Sequence, residues 1–144
     1  MTYTIGEMAK KLGVAPSTLR YYDKEGLLPS VERSEGGVRI FQDADMGHLS
    51  TIKCLKRTGM SIQEIRQYID LSLQGDETIG ERMELIDRRR EAVLEQIAQL
   101  QDTLHTLDYK HWFYETALAA GTMDAPANMP LDQVPSKFRD MRKK

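Results

Sequence analysis

Cysteine and long hydrophobic runs are almost absent from this sequence. Its 144 residues include a single cysteine, Cys54, which excludes an internal disulfide framework and is typical of a reducing compartment. No apolar run approaches the roughly 20 residues that a membrane-spanning helix needs. The first residues lack the basic and apolar regions of a signal peptide. We therefore expect a cytoplasmic protein with no membrane partner.

Motifs for catalysis and for metal binding are also missing. The sequence has no phosphate-binding glycine loop and no recognisable arrangement of a nucleophile with its base. His48, His105 and His111 are widely spaced, and soft metal ions need thiolate ligands that one cysteine cannot supply. We therefore expect no enzyme activity, no metal and no cofactor.

An excess of positive charge, which DNA-binding proteins usually show, is not present. The formal net charge is −2. Residues 1–75 carry 10 Lys and Arg against 9 Asp and Glu, whereas residues 76–120 carry 5 against 10. The acidity therefore lies after residue 75. Any DNA-binding surface in the first half must cluster its few cations and will be sensitive to salt.

Two short helices are predicted near the N-terminus. Thr4 and Glu7 have the spacing of a capping box, and Gly13 is placed to end the first helix. Pro16 opens the second helix and Gly26 follows its end. Two helices joined by a tight turn form a helix-turn-helix, although other helical hairpins share this pattern. The second helix offers groups suited to phosphates and base edges, from Ser17, Thr18, Arg20, Tyr21 and, on its flank, Tyr22.

A β-hairpin is predicted directly after this second helix. Val31 to Phe41 contains two strand-like runs around Ser34-Glu-Gly-Gly37, and paired glycines between such runs favour a hairpin. A hairpin in this place is the wing of a winged helix-turn-helix.

The order of these motifs resembles that of the MerR family of transcriptional regulators. The resemblance is carried by Tyr3-Thr-Ile-Gly-Glu7, Leu19-Arg-Tyr-Tyr-Asp-Lys-Glu-Gly-Leu-Leu28, Gly37-Val-Arg-Ile-Phe41 and Ile52-Lys-Cys-Leu-Lys-Arg-Thr-Gly-Met-Ser61. One departure is Phe41, where many relatives have tyrosine, so a phenol contact is expected to be lost there.

The resemblance implies a mainly α-helical protein with a winged helix-turn-helix DNA-binding domain over residues 1–75. It also implies a homodimer on double-stranded promoter DNA with two-fold symmetry. It further implies that the protein distorts an over-long promoter spacer so that RNA polymerase can engage the promoter. On the wing, Arg39 is expected to contact the flanking backbone or minor groove, so its loss would weaken binding and its salt dependence. Lys56 is expected to contact backbone phosphate.

Two more helices are predicted behind the wing. The first runs from Ala44 to about Thr58 with Asp43 as its cap. The second runs from Ile62 to about Leu73, after a capping box of Ser61 and Glu64.

One long helix is predicted within residues 76–120, opened by Thr78 with Glu81. Apolar residues recur there at alternating spacings of three and four, which is typical of a coiled coil. The dimerisation seam includes Val93, Ile97, Leu100, Leu104 and Leu107. By resemblance to the family, the partner is the same helix of a second chain, running antiparallel. A helix that folds back on its own domain is the alternative, but too little chain remains to cover the seam.

Residues 121–144 change in character. They are rich in proline and polar residues and end in a basic run. We expect a flexible C-terminal tail with a short helix between Lys137 and Met141. This segment is too short for the large drug-binding domain that some MerR relatives carry.

Cys54 is the candidate sensor. Its sequence context resembles the single-cysteine branch of the family (NmlR/AdhR-like), whose members respond to aldehydes and other electrophiles or to nitrosative stress. Helical geometry places Cys54 nearly opposite the apolar stripe of its helix. Positive charge nearby, from Lys53, Lys56 and Arg57, favours the reactive thiolate, whereas the helix C-terminus disfavours it. A free cysteine also serves as a small apolar residue, so a packing role is the alternative.

Two other functions fit parts of the pattern. An architectural DNA-bending protein, or a MerR-type regulator with a non-covalent effector or none, would also be small and lack a ligand domain. A coiled-coil module that binds protein would explain the weakly basic first half. Titration with duplex DNA separates the last of these from the others.

Overall fold

The computed structural model describes residues 1–29 and 31–143. The chain divides into two units, Met1–Glu91 and Ala92–Lys144. The first unit contains a short strand, two helices, a hairpin and two more helices: β1 (Thr2–Tyr3), α1 (Ile5–Leu12), α2 (Pro16–Lys24), β2 (Glu32–Arg33), β3 (Arg39–Gln42), α3 (Asp43–Arg57) and α4 (Ile62–Leu73). A 3₁₀ turn (Asp76–Thr78) leads into α5 (Ile79–Ala120), which begins in the first unit and ends in the second. The mainly helical fold with a winged helix-turn-helix is therefore confirmed.

The predicted helix ends of the first unit follow local capping chemistry. The Glu7 backbone N–H donates to the Thr4 hydroxyl at 3.2 Å, and the Thr4 N–H donates to the Glu7 carboxylate at 2.8 Å. Gly13 closes α1 in the left-handed region at φ 68°, where a side chain would be strained. Ser61 and Glu64 form the same reciprocal box at the start of α4. Both capping boxes are confirmed.

The hairpin belongs to a three-stranded antiparallel sheet in the order β1-β3-β2. Arg33 lies opposite Arg39 across the hairpin, and Tyr3 lies opposite Phe41 on the other edge of β3. The third strand, β1, was not expected. Its two residues are too few to give an alternating pattern, so only the pairing with β3 reveals it.

The start of α3 differs from the expectation in one detail. The residue that precedes the helix is Gln42, whose backbone N–H donates to the Asp45 carboxylate at 2.8 Å. Asp43 lies inside the first turn and accepts a hydrogen bond of 2.6 Å from the Tyr3 hydroxyl. This bond lowers the pKa of Asp43 and raises that of Tyr3. The prediction of Asp43 as the cap is therefore wrong, because its carboxylate is engaged by β1.

One hydrophobic core holds the first unit together. Its fully buried side chains come from both helix pairs, from the loop after α2 and from the sheet: Met8, Leu19, Leu27, Phe41, Leu49, Ile52 and Ile65. Phe41 is buried completely. Its ring is therefore part of the core, and the loss of a phenol contact at this position stays a prediction.

The beginning of α5 is fixed through Thr78 rather than through a capping box with Glu81. The Thr78 hydroxyl is buried and bonds to the Leu71 carbonyl at the end of α4. It also accepts from Arg82 Nε at 3.1 Å, while Arg82 Nη2 donates to the Gly75 carbonyl at 2.9 Å. These hydrogen bonds satisfy the carbonyls of Leu71, in the last turn of α4, and of Gly75, which follows that helix. Thr78 therefore serves in the turn between α4 and α5.

The C-terminal segment is folded, whereas its composition favours a flexible tail. It contains α6 (Asp124–Ala127) and two 3₁₀ helices, Leu131–Gln133 and Ser136–Lys143. Phe138 is buried and contacts the rings of His105, Tyr109 and Trp112, with ring centroids 5.7–6.0 Å apart. The expected short helix between Lys137 and Met141 lies within the last element. Aromatic residues of α5 thus supply a surface that proline-rich composition alone does not reveal.

The second half of α5 has two apolar faces. At about 100° per residue, the Phe138 contacts on His105, Tyr109 and Trp112 lie on the side opposite Leu104 and Leu107. The C-terminal segment therefore leaves the seam uncovered. Within the described parts of the chain, no helix is both long enough and apolar enough to span a membrane.

Candidate nucleic-acid interface

The exposed face of α2 carries the predicted recognition residues. Ser17 and Arg20 are exposed, Thr18 is half-buried, and Tyr21 keeps 42% of its surface exposed. Leu19 and Tyr22 point into the core. Apolar residues thus anchor the helix, and its hydroxyl, guanidinium and phenol groups face outward. This is the arrangement needed to contact phosphates and base edges.

Tyr22 has a different environment from its neighbour Tyr21. Only 4% of Tyr22 is exposed, and burial raises the pKa of its hydroxyl. Its ring packs in the core while the Tyr21 ring lies beside it at 6.3 Å between centroids. The structure therefore supports Tyr22 as a packing residue that holds Tyr21 in place. Its direct contact with DNA stays a prediction.

Lys56 of α3 extends the surface of α2. Its amino group lies 5.4 Å from the centre of the Tyr21 ring, within the range of a cation–π contact. Lys53 is directed away from the face of α2, because its amino group donates to the Leu12 carbonyl at the end of α1 at 2.8 Å. Lys53 is therefore a structural contact between helices, while Lys56 adds a cation beside the recognition face.

The wing is attached to α2 by ion pairs. Asp23 accepts from Arg39 through Nε, at 2.7 Å, and through Nη2. The same carboxylate oxygen accepts from Arg33 Nη2 at 3.0 Å. Arg39, predicted to contact DNA, is thus committed to a carboxylate on two of its three nitrogens. Asp23 was missed at the sequence level, because nothing in the sequence gives the distance between the end of α2 and the hairpin.

Cys54 is exposed on α3 and forms no disulfide. It lies on the polar side of the helix, as the helical geometry predicts. Its role as a sensor stays a prediction.

A hydrogen bond joins the C-terminal end of α3 to α5. Arg89 Nε donates to the Thr58 carbonyl at 2.7 Å. Gly59, at φ 84°, leaves room for this guanidinium, because a Cβ there would lie 2.6 Å from Arg89 Nη2. This hydrogen bond orients the first turns of α5 on the unit that carries the recognition face.

The predicted dimerisation residues are on α5. Ile97, Leu100, Leu104 and Leu107 are exposed, with Leu100 at 68%, and Val93 is half-buried. Exposed leucines in this number are costly in water unless another surface covers them.

These features define a DNA-binding protein of the winged helix-turn-helix class. The comparisons with known proteins narrow the class. A model described as the MerR HTH family regulatory protein matches residues 3–72, and one described as MerR, DNA binding, matches residues 47–109. The chain belongs to the MerR family of transcriptional regulators, and within it resembles the NmlR/AdhR-like branch.

Three relatives illustrate the match. A helix-turn-helix transcriptional regulator of Haemophilus influenzae is 46% identical over 94% of this chain and 98% of its own. The regulator AdhR of Bacillus subtilis is 34% identical over 63% of this chain and 65% of its own. The crystal structure of HiNmlR, a MerR family regulator lacking the sensor domain and bound to promoter DNA, is 46% identical. It covers 87% of this chain and 99% of its own, with a TM-score of 0.65. These relatives are regulators and not enzymes.

Proposed function

We propose that the protein is a cytoplasmic homodimer that binds two-fold promoter DNA and controls transcription by distorting an over-long promoter spacer. The observation that carries this proposal is the exposed face of Ser17, Thr18, Arg20 and Tyr21, flanked by Lys56 and by the Arg39 wing. HiNmlR, which is similar over most of its length, is bound to promoter DNA. RNA polymerase is then an indirect partner, which engages the promoter DNA that the protein distorts. Deforming DNA costs a few kcal/mol, and the contacts that the protein makes with the DNA offset this free energy.

The homodimer is supported by the exposed seam of α5. Val93, Ile97, Leu100, Leu104 and Leu107 alternate at spacings of three and four on one side of the helix, and the C-terminal segment packs on the other. An antiparallel copy of α5 covers this seam with its own apolar residues.

We propose that the effector modifies the Cys54 thiol. It is an electrophile such as an aldehyde, or a nitrosative or oxidative agent. The support for this proposal is the exposure of the thiol on α3, the helix that also carries Lys56. Modification adds volume and polarity to α3, which Arg89 ties to the dimer helix. The change would shift the orientation of the recognition surfaces and so the promoter geometry.

The test measures transcription from the target promoter with formaldehyde, methylglyoxal or a thiol oxidant. Cys54→Ser should bind the operator as wild type does and lose the response. Thr51→Ser on the same helix is the matched control and should respond normally. A full response in Cys54→Ser would show that the thiol is not the sensor.

A non-covalent effector is the second candidate. An open apolar groove of about 440 Å³ lies where α5 ends, lined by Tyr114, Ala117, Leu118, Gly121, Thr122 and Met123. If Cys54→Ser keeps the response and Leu118→Gln loses it, this groove is the effector site. Promoter bending without any effector response would leave an architectural role.

A further inference from the structure

The wing carries two arginines that face the same partner. Arg33 on β2 and Arg39 on β3 lie directly opposite each other across the hairpin. Both donate to a single oxygen, Asp23 Oδ2, on the last turn of α2. Like charges in such a cross-strand pair destabilise a hairpin. Asp23 therefore compensates a repulsion that is built into the wing.

This contact is shielded on its α2 side. The Asp23 side chain is 18% exposed and that of Arg39 is 22% exposed, whereas that of Arg33 is 54% exposed. A partly buried, charge-assisted hydrogen bond is stronger and shorter than an ordinary surface ion pair. The geometry therefore fixes the wing relative to the recognition helix through one carboxylate.

The same contact changes what the two arginines offer to DNA. A free arginine near a duplex neutralises a phosphate and releases counterions whatever the base sequence is. An arginine already paired with a carboxylate gains less from a phosphate, because that carboxylate repels it.

We propose that Asp23 is a positioning residue that sets the specificity of DNA binding. It holds the wing on α2, and it prevents Arg33 and Arg39 from acting as sequence-independent phosphate contacts. The proposal rests on the proposed operator binding and deepens it: Asp23 favours the operator over random duplex DNA without touching either.

The test compares operator and random duplex DNA over a range of salt concentrations. Asp23→Asn keeps the size of the side chain and removes its charge. It should tighten binding to random duplex several-fold and steepen the slope of log K against log salt, by about one unit per arginine that gains a phosphate. The ratio of operator to random affinity should fall about tenfold.

Glu25→Gln is the matched control. It removes one negative charge from the same end of α2, but Glu25 pairs with Arg66 at 3.5 Å and not with the wing. Its slope and affinity ratio should stay close to those of wild type. If Asp23→Asn and Glu25→Gln behave alike, the effect is only one of net charge and the proposal is wrong.

Arg33→Gln tests the proposal without touching Asp23, in case Asp23→Asn unfolds. Arg33 is paired with Asp23 and, on this proposal, contacts no phosphate, so its loss should leave the salt slope unchanged. A slope that falls by about one unit would mean an ordinary phosphate contact and would overturn the proposal. Wild-type protein that binds no duplex at low salt would instead refute the proposed function.

Discussion

At the scale of single residues, DNA affinity depends on which polar groups remain available on α2. Arg20 is exposed and makes no ion pair with any described residue, in contrast to Arg39. Arg20→Ala should therefore cost on the order of 1–3 kcal/mol of operator binding, measured by fluorescence anisotropy. Lys110→Ala on α5 removes one positive charge at an exposed position and should have little effect. Equal operator affinity in Arg20→Ala and wild type would contradict the assignment.

The Tyr3–Asp43 hydrogen bond predicts a pH dependence of stability. The pKa of Asp43 lies below its ordinary value of 3.8 in the folded protein, so the contribution is lost as pH falls through that lowered value. The pKa of Tyr3 lies above its ordinary value of 10.0, so the contribution is present below pH 10 and is lost as pH rises through the raised value. Tyr3→Phe should therefore lower the melting temperature near neutral pH.

The two ends of the pH range test this assignment. The difference in melting temperature between Tyr3→Phe and wild type should shrink in strong acid and again above about pH 10. Tyr68→Phe is the control, because the Tyr68 hydroxyl makes no hydrogen bond within the described residues. A difference that is constant with pH would show that only packing was lost.

At the scale of helices and strands, local signals were sufficient where the chemistry is local. Capping boxes at Thr4 and Ser61 and the glycine at position 13 set the ends of α1 and α4, so the sequence predicts these helices well. The partners of Asp23 and Phe138 are distant in the chain, and the Thr78 hydroxyl bonds across the break between α4 and α5. Their roles could not be predicted, because they depend on how finished elements pack.

A dimer formed through the seam of α5 is sensitive to a charge placed in that seam. Leu100→Asp would place an unpaired charge against an apolar partner helix and should convert dimer to monomer in sedimentation velocity at micromolar concentration. Ala98→Asp introduces the same charge on the other side of α5, where the residue is also exposed. It should leave the dimer intact. Wild-type protein that sediments as a monomer would rule out the seam as a homodimer interface.

At the scale of the whole molecule, charge and symmetry act together. The recognition surface comes from a unit with nearly balanced charge, and the acidic residues are concentrated on α5. We therefore expect modest non-specific attraction to DNA, and a second recognition helix in the proposed dimer to supply much of the operator affinity.

Two linked recognition helices predict a marked preference for complete operators. A duplex that carries one half-site should bind the dimer on the order of 10² times more weakly than a duplex with both, because the second contact is intramolecular. Titration of both duplexes at the same salt concentration measures the ratio. The random duplex is the baseline, and half-site and complete operators of equal affinity would argue against binding as a dimer.

The space around Gly59 has an evolutionary consequence. Any side chain at position 59 would meet the guanidinium of Arg89 as well as an unfavourable backbone conformation. We therefore expect selection to act on the two positions jointly. Family members that have lost the glycine are expected to carry a short residue in place of Arg89, and to join α3 to α5 by another contact. Positions 59 and 89, thirty residues apart, should thus co-vary across the family.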